Sequence, residues 1–162
     1  MLKNLFKKQR NLSIIAPVNG DLLPIEAIPD PVFSDKLLGN GVAIDPTDGN
    51  IYSPVDGEVI LIPQTKHAIG LRAKDNTEIL IHIGLDTVSL NGEGFKPMVK
   101  VGDKVSAGQK LVEFQLDHIR THAKSAITPI IITNDAEGNR EYTFTDHKIA
   151  VAKETVIFTV SS

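Results

Sequence analysis

Two histidines in apolar, strand-like runs are the residues of this chain best suited to chemistry. His82 lies in the run 79–88, and His67 lies in the preceding apolar run, 65–71. A strand made only for packing would usually carry Val, Ile or Thr at such positions. Neutral imidazole is a nucleophile at neutral pH because its unperturbed pKa is about 6.5. The pair therefore suggests that one ring attacks a centre such as phosphorus while the other holds the oxygens of the transferred group.

Strand alternation predicts which side chains accompany His82. Leu80, His82 and Gly84 should share one face of the strand, while Ile79, Ile81 and Ile83 face the other side.

The loop between the two apolar runs sets how the histidines meet. A two-residue turn at Asp75-Asn76 would pair His82 with Ile69 and make His67 its diagonal neighbour, within reach of a ring side chain. A slip of one residue would separate the rings onto opposite faces. Thr65, two residues before His67, could point the same way and fix the tautomer of that ring.

The other three histidines are not expected to take part in catalysis or metal binding. His118 and His122 have the i, i+4 spacing of helical metal ligands, but the segment His-Ile-Arg-Thr-His lacks the Glu of the zinc-peptidase motif. We expect both at the surface, and His147 in a loop.

Length, charge and composition limit the class of protein. The chain has 162 residues, 41% of them apolar, which fits one compact domain. A net charge of −3 argues against a general nucleic-acid binder. No apolar stretch reaches the roughly 18 residues of a membrane span, and no signal peptide is visible, so we expect a cytoplasmic protein. The absence of cysteine excludes disulfides, thiolate metal sites and cysteine nucleophiles.

Short apolar runs separated by Gly and Pro predict an all-β fold, an antiparallel β-sandwich or flattened barrel with short helical turns. Asn19-Gly20, Asn40-Gly41, Asp48-Gly49, Asp56-Gly57 and Asn91-Gly92 are predicted to be turns that need positive φ. Only Leu116–Lys124 favours a helix. Strands are predicted over Leu12–Ala16, Gly57–Ile62, Ala68–Ala73, Thr77–Ile83, Lys110–Leu116, Ile130–Thr133, Glu141–Thr145 and Thr155–Val160.

Residues 1–11 are expected to form a flexible basic tail ahead of a domain over residues 12–162. Solvated disorder is the default for such a tail. Leu2, Leu5 and Phe6 among basic residues could still give weak, salt-sensitive contact with anionic membranes.

Several motifs together resemble the glucose-family IIA component of the bacterial phosphoenolpyruvate-dependent sugar phosphotransferase system. The resemblance covers roughly residues 12–160 and weakens after Asn134. The matching segments are His82 to Leu90 with Gly92-Glu93-Gly94-Phe95, Thr65-Lys66-His67-Ala68, Pro29 to Phe33 with Gly39-Asn40-Gly41, Gly102-Asp103, Gly108 to Leu111, Ser125 and Thr128-Pro129.

The resemblance implies a phosphocarrier. His82 would accept a phosphoryl group from the phosphohistidine of the carrier protein HPr and pass it to a cysteine on the IIB domain of a sugar permease. His67 would be the helper that contacts the phosphoryl oxygens, with Thr65 orienting its ring. Such a relay needs no cofactor, although the pair could hold an incidental zinc ion. The family also implies regulatory targets that distinguish the phosphorylated from the unphosphorylated form.

The resemblance further implies an apolar docking rim formed by Val32, Phe33, Ile69 and Leu80, with Asp30 and Asp86 near the site. Of these, Phe33 is expected to be the most exposed because its loop is rich in Pro and Asp.

Three alternatives remain open from the residues alone. The segments Val101–Val105 and Gly108–Leu111 resemble the turn of lipoyl or biotin carrier domains, but neither attachment signature around a lysine is present. A zinc peptidase would need at least three protein ligands, and Leu80-Ile81-His82 lacks a His-x-His pair. A purely regulatory binding protein is the third.

Overall fold

The computed structural model describes residues 11–161, in which short strands dominate. Helix α1 (Pro31–Ser34) lies between the second and third strands, and helix α2 (Leu116–His122) follows the tenth. Single 3₁₀ turns span Ile25–Ala27 and Thr87–Leu90. The strands are β1 (Asn11–Ile15), β2 (Gly20–Pro24), β3 (Asn40–Pro46), β4 (Asn50–Tyr52), β5 (Gly57–Leu61), β6 (Ala68–Ala73), β7 (Glu78–His82), β8 (Phe95–Pro97), β9 (Lys104–Val105), β10 (Lys110–Phe114), β11 (Thr128–Ile132), β12 (Glu141–Phe144), β13 (Ile149–Ala150) and β14 (Val156–Ser161).

The strands form three antiparallel sheets. The largest has the order β13-β2-β3-β11-β7-β6-β5-β9, and the others are β1-β14-β12 and β4-β10-β8. This confirms the predicted all-β sandwich with short helical turns, as open sheets rather than a closed barrel.

One large core covers the inner face of the eight-stranded sheet. Ile79, Ile81 and Ile83 are fully buried in it, whereas Leu80 and His82 are partly exposed on the outer face. The alternation predicted for β7 is therefore confirmed, and it leaves His82 outside the main core.

A smaller apolar cluster lies on the outer face of the same sheet. The segment between β2 and β3 crosses this face and contributes half of the cluster. Helix α1 within that segment begins at Pro31, and the Asp30 carboxylate accepts a hydrogen bond from the Val32 N–H at 3.0 Å. The buried members of this outer cluster are Ile25, Ile28, Phe33, Ala43, Leu85 and Ile131.

The predicted register of the β6–β7 hairpin is wrong by one residue. His82 pairs with Ala68 rather than with Ile69. The loop has three residues instead of two, since the Ala73 N–H donates to the Thr77 carbonyl oxygen. Asn76 adopts a φ of +71°, and the Asp75 carboxylate accepts from the Thr77 N–H at 3.0 Å. Asn tolerates this left-handed conformation and an Asp side chain can close such a turn, which favours the longer loop.

Most of the glycines in the five predicted Asn-Gly and Asp-Gly turns have a role other than the predicted one. Of the five glycines, only Gly92 has a positive φ, +90°. A Cβ at Gly41 would collide with the Ile130 carbonyl oxygen of the neighbouring strand, and one at Gly57 with that of Arg72. Glycine is needed there because adjacent strands approach closely, not because of an unusual φ.

One residue of the predicted tail lies in a strand. Asn11 belongs to β1 and pairs with Ser161 of β14. The rest of the predicted tail and its membrane contact, residues 1–10, lie outside the described residues. Across residues 11–161, no helix is both long and apolar enough to cross a membrane.

Two leucines provide a matched test of this packing. Leu111 in β10 is fully buried, whereas Leu37 is 70% exposed. Leu111→Ala should lower the free energy of unfolding by about 2–5 kcal/mol, because it leaves a cavity in the core. Leu37→Ala should change it by less than about 0.5 kcal/mol. Urea unfolding of both variants checks this, and equal losses would contradict the assignment of the core.

Candidate active site

His82 is the last residue of β7 and lies on the outer face of the sheet, and one of its ring nitrogens is already hydrogen-bonded. Its Nδ1 donates to the Gly84 carbonyl oxygen, 2.7 Å away. Because a carbonyl oxygen can only accept, Nδ1 carries the proton, and Nε2 keeps its lone pair in the neutral ring. The bond therefore leaves Nε2 as the ring nitrogen of His82 with a free lone pair.

Gly84 can provide this carbonyl because it has no side chain. Its φ is +78°, and a Cβ there would lie 2.6 Å from Thr87 Cγ2 and 2.8 Å from the Ser125 carbonyl oxygen. Any other residue would have to shift this loop and the acceptor for His82 with it.

His67 contacts His82 despite the unexpected register. The ring centroids are 4.9 Å apart and the planes are inclined by 76°. His67 lies at a bend just before β6, where Lys66 has a φ of +60° and donates from its N–H to the Pro63 carbonyl oxygen. Alternation along β6 thus does not extend to His67, and the bend brings its ring to His82.

Thr65 is hydrogen-bonded to the second ring. Its hydroxyl lies 2.6 Å from His67 Nδ1, and the His67 side chain is only 9% exposed. This hydrogen bond leaves His67 Nε2 as the nitrogen available to a ligand.

Both imidazoles favour the neutral state. Burial lowers the pKa of His67, and the neighbouring His82 lowers it further. Burial also lowers the pKa of His82, although the hydrogen bond to Gly84 and the charge of Asp30 partly oppose this. As the pH falls, these rings therefore take up protons later than a free imidazole, so at neutral pH His82 is a competent nucleophile.

Helix α1 places one aromatic ring against the pair. The Phe33 ring centroid is 5.1 Å from that of His82, with the rings inclined by 62°. The expectation that Phe33 is the most exposed rim residue is wrong, since it is 4% exposed and its neighbour Val32 is 41% exposed. The turn of α1 directs Phe33 into the outer cluster and Val32 towards solvent.

The remaining predicted rim residues divide into two groups. Leu80 is partly exposed on the outer face and packs against the outer cluster. Ile69 is fully buried in the main core, so its prediction as a docking residue is wrong. The one-residue register shift is the cause, because it turns Ala68 and Gly70, rather than Ile69, towards the outer face.

The two predicted carboxylates flank this region differently. Asp30 caps α1 and lies near enough to His82 to affect its pKa. Asp86 is exposed at the start of the turn Thr87–Leu90, with a φ of +59°.

Exposed apolar residues in the chain segments that follow Phe33 and His82 were missed in the sequence. Leu37 and Leu38 are 70% and 44% exposed, and the Leu37 N–H donates to the Val32 carbonyl oxygen at 3.2 Å. Val88, in the turn after Asp86, is 52% exposed. The sequence did contain a signal for exposed apolar residues: two adjacent leucines in an otherwise polar segment that was not predicted to contribute to the core.

The other histidines do not complete a metal site. The His118 and His122 rings stack at 4.3 Å, and His118 Nε2 lies 3.8 Å from Glu93 Oε1. His118 is half-buried rather than at the surface as predicted, while His122 is exposed and His147 lies in an exposed loop. In the part of the chain that the structure describes, no group of three or more His, Cys, Asp or Glu residues could hold a metal ion.

Comparison with known proteins places these features in a family. Residues 12–138 match the family described as phosphoenolpyruvate-dependent sugar phosphotransferase system, EIIA 1. A glucose-specific EIIA component of this system from Oceanobacillus iheyensis is 54% identical over 138 residues, which are 83% of this chain and 84% of the relative. One from Staphylococcus aureus is 51% identical over 138 residues, 83% of each chain.

The fold agrees with this sequence similarity. The structure of glucose permease IIA from Mycoplasma capricolum superposes with a TM-score of 0.84 at 37% identity, covering 93% of this chain and 96% of that one. The chain therefore belongs to the EIIA 1 family of the phosphoenolpyruvate-dependent sugar phosphotransferase system.

Proposed function

We propose that this protein is a cytoplasmic phosphocarrier that accepts a phosphoryl group from phospho-HPr on His82 and passes it to a cysteine of the IIB domain of a sugar permease. The observation that carries the proposal is the geometry of His82 Nε2. It is the free nitrogen of a neutral, oriented imidazole that lies against a second imidazole in a member of this family.

Both transfers are displacements at phosphorus. The lone pair of Nε2 attacks the phosphorus of phospho-HPr, a new N–P bond forms, and the old N–P bond breaks with its electron pair returning to the HPr histidine. In the second step a IIB thiolate attacks the same phosphorus, and the electron pair of the His82 N–P bond returns to Nε2. This chain contains no cysteine, so the thiol acceptor belongs to the partner.

His67 acts as the helper in this scheme. With Thr65 donating its hydroxyl hydrogen to Nδ1, the His67 proton sits on Nε2 and can be donated to a phosphoryl oxygen. A donor held in place by a second hydrogen bond stabilises the charge of the transferred group without rearrangement during the reaction.

HPr and IIB dock in turn on the apolar surface around the pair, since each must bring its reactive atom to the same nitrogen. Val32 on α1 and Leu80, on the same face of β7 as His82, supply exposed and partly exposed apolar side chains there. Leu37 and Leu38, which follow α1, are also exposed. A phosphoryl group adds about −1.5 to −2 charges at neutral pH. Regulatory targets that bind this surface would therefore distinguish the two forms of the protein.

Replacing the nucleophile tests the proposal. With phosphoenolpyruvate, enzyme I and HPr, the wild-type chain should gain one acid-labile, alkali-stable phosphoryl group, and His82→Ala should gain none. Intact mass spectrometry measures this. His147→Ala, which alters an exposed loop, is the control and should be labelled like the wild type. Stoichiometric labelling of His82→Ala would rule out His82 as the acceptor.

The helper role predicts a split between the two half-reactions. His67→Gln should still accept the phosphoryl group but transfer it to IIB more slowly, by on the order of 100-fold. The glutamine amide can also donate a hydrogen bond, but it lacks the ring nitrogen through which Thr65 holds the His67 donor in place. Thr65→Val should move the transfer rate in the same direction by releasing the His67 ring. Rapid-quench measurement of each step checks this. Transfer at the wild-type rate in His67→Gln would make that residue structural.

The charge of Asp30 gives a pH prediction. Asp30→Asn should lower the pKa of His82 further, since the carboxylate stabilises the protonated ring and the amide does not. The amide can still cap α1, so the local fold should persist. An NMR titration of the His82 ring measures the change, with Asp35→Asn at the other end of α1 as the control. A raised pKa in Asp30→Asn would contradict the assignment.

A further inference from the structure

The chain that follows His82 is fixed by hydrogen bonds at three consecutive peptide groups. The Ile83 N–H donates to the His67 carbonyl oxygen at 2.7 Å. The Ile83 carbonyl oxygen accepts from the Thr87 hydroxyl at 2.7 Å. The Leu85 N–H donates to the Ser125 carbonyl oxygen at 2.8 Å.

These anchors control where the acceptor for His82 points. The Gly84 carbonyl and the Leu85 N–H belong to one planar peptide group, so the bond to Ser125 sets the direction of the carbonyl that receives His82 Nδ1. The preceding peptide group, whose carbonyl is that of Ile83, is held by Thr87. Gly84 joins the two groups, and glycine alone would not fix the angle between them.

Thr87 supplies the only one of these three anchors that is a side chain. It is fully buried, and its hydroxyl has no contact with solvent to compete with the Ile83 carbonyl. Its methyl group lies against Gly84, where an added Cβ would be 2.6 Å from Thr87 Cγ2. The hydroxyl thus holds one peptide group while the methyl packs against the residue that carries the acceptor.

We propose that Thr87 is a positioning residue for phosphoryl transfer, whose hydroxyl holds the 83–87 loop so that the Gly84 carbonyl keeps the His82 proton on Nδ1 and its lone pair on Nε2. Thr87 does not touch the transferred group. This inference rests on the proposed function only in what it says about the rate of phosphoryl transfer. What it says about the tautomer of His82 concerns the unphosphorylated protein and is independent of that function.

Two substitutions separate the parts of the threonine side chain. Thr87→Val keeps the methyl and shape but removes the hydroxyl, whereas Thr87→Ser keeps the hydroxyl and removes the methyl. Should Thr87→Val fail to fold, Thr87→Ala and Thr87→Ser make the same comparison, since both lack the methyl and only serine can donate.

A matched control removes a similar bond far from the site. Ser53 is buried, and its hydroxyl donates to the Val55 carbonyl oxygen at 2.6 Å. The adjoining strand β5 starts at Gly57, which pairs with Ala73 at the opposite end of β6 from Ala68 and His82. Ser53→Ala should therefore lower stability without changing His82.

The first readout is the ring ¹⁵N spectrum of His82, which distinguishes protonated from unprotonated nitrogens. We expect the Nδ1–H tautomer in the wild type, Thr87→Ser and Ser53→Ala, and a mixture of tautomers in Thr87→Val. The second is the rate of phosphoryl acceptance from phospho-HPr. It should fall by on the order of 10- to 100-fold in Thr87→Val and recover in Thr87→Ser, because small misplacements of reacting groups cost rates of this size.

The outcomes separate this inference from the proposed function. An unchanged tautomer and rate in folded Thr87→Val would overturn it, as would an equal loss in Ser53→Ala. If the wild type takes no phosphoryl group from phospho-HPr, the proposed function fails, and the ¹⁵N spectra still decide whether Thr87 sets the state of His82.

Discussion

The hydrogen bond from His82 Nδ1 to the Gly84 carbonyl oxygen is the constraint around which the site is built. An imidazole has two chemically similar nitrogens, and a single fixed acceptor makes one of them the donor and frees the other. This acceptor depends on a glycine with positive φ and on a bond between Leu85 and Ser125, which lies in the connection from α2 to β11. Residues far apart in sequence therefore determine which atom of His82 can react.

Burial has a double effect on the proposed relay. It lowers the pKa of both histidines, which keeps His82 neutral and able to attack phosphorus at neutral pH. A less basic nitrogen is also a better leaving group, so the same burial would ease the second transfer, in which His82 gives up the phosphoryl group. The hydrogen bond to Gly84 and the charge of Asp30 partly oppose this lowering of the His82 pKa.

Local sequence patterns were sufficient to predict the parts of the site that depend on one strand. The alternation along β7 predicted the outward direction of His82. The contact between Thr65 and His67 was also predicted, although both residues precede β6 and do not follow strand alternation. The contact between the two rings was predicted correctly, but from a wrong register. With the observed register, strict strand alternation would place His67 and His82 on opposite faces of the sheet. The bend at Lys66 restores the contact, and a left-handed lysine in a turn has no clear sequence signal.

The outer cluster was the larger omission, and one signal for it was present in the sequence. Strand β3 was not predicted because Asn40-Gly41 resembles a turn. Helix α1, which packs over the outer face, was not predicted because its sequence resembles a loop. However, every residue of β11 is buried, and its run Pro129-Ile130-Ile131-Ile132 is apolar without alternation. Such a run predicts a strand covered on both faces. A second apolar layer over the outer face could thus have been inferred, and with it the burial of Phe33 beside His82.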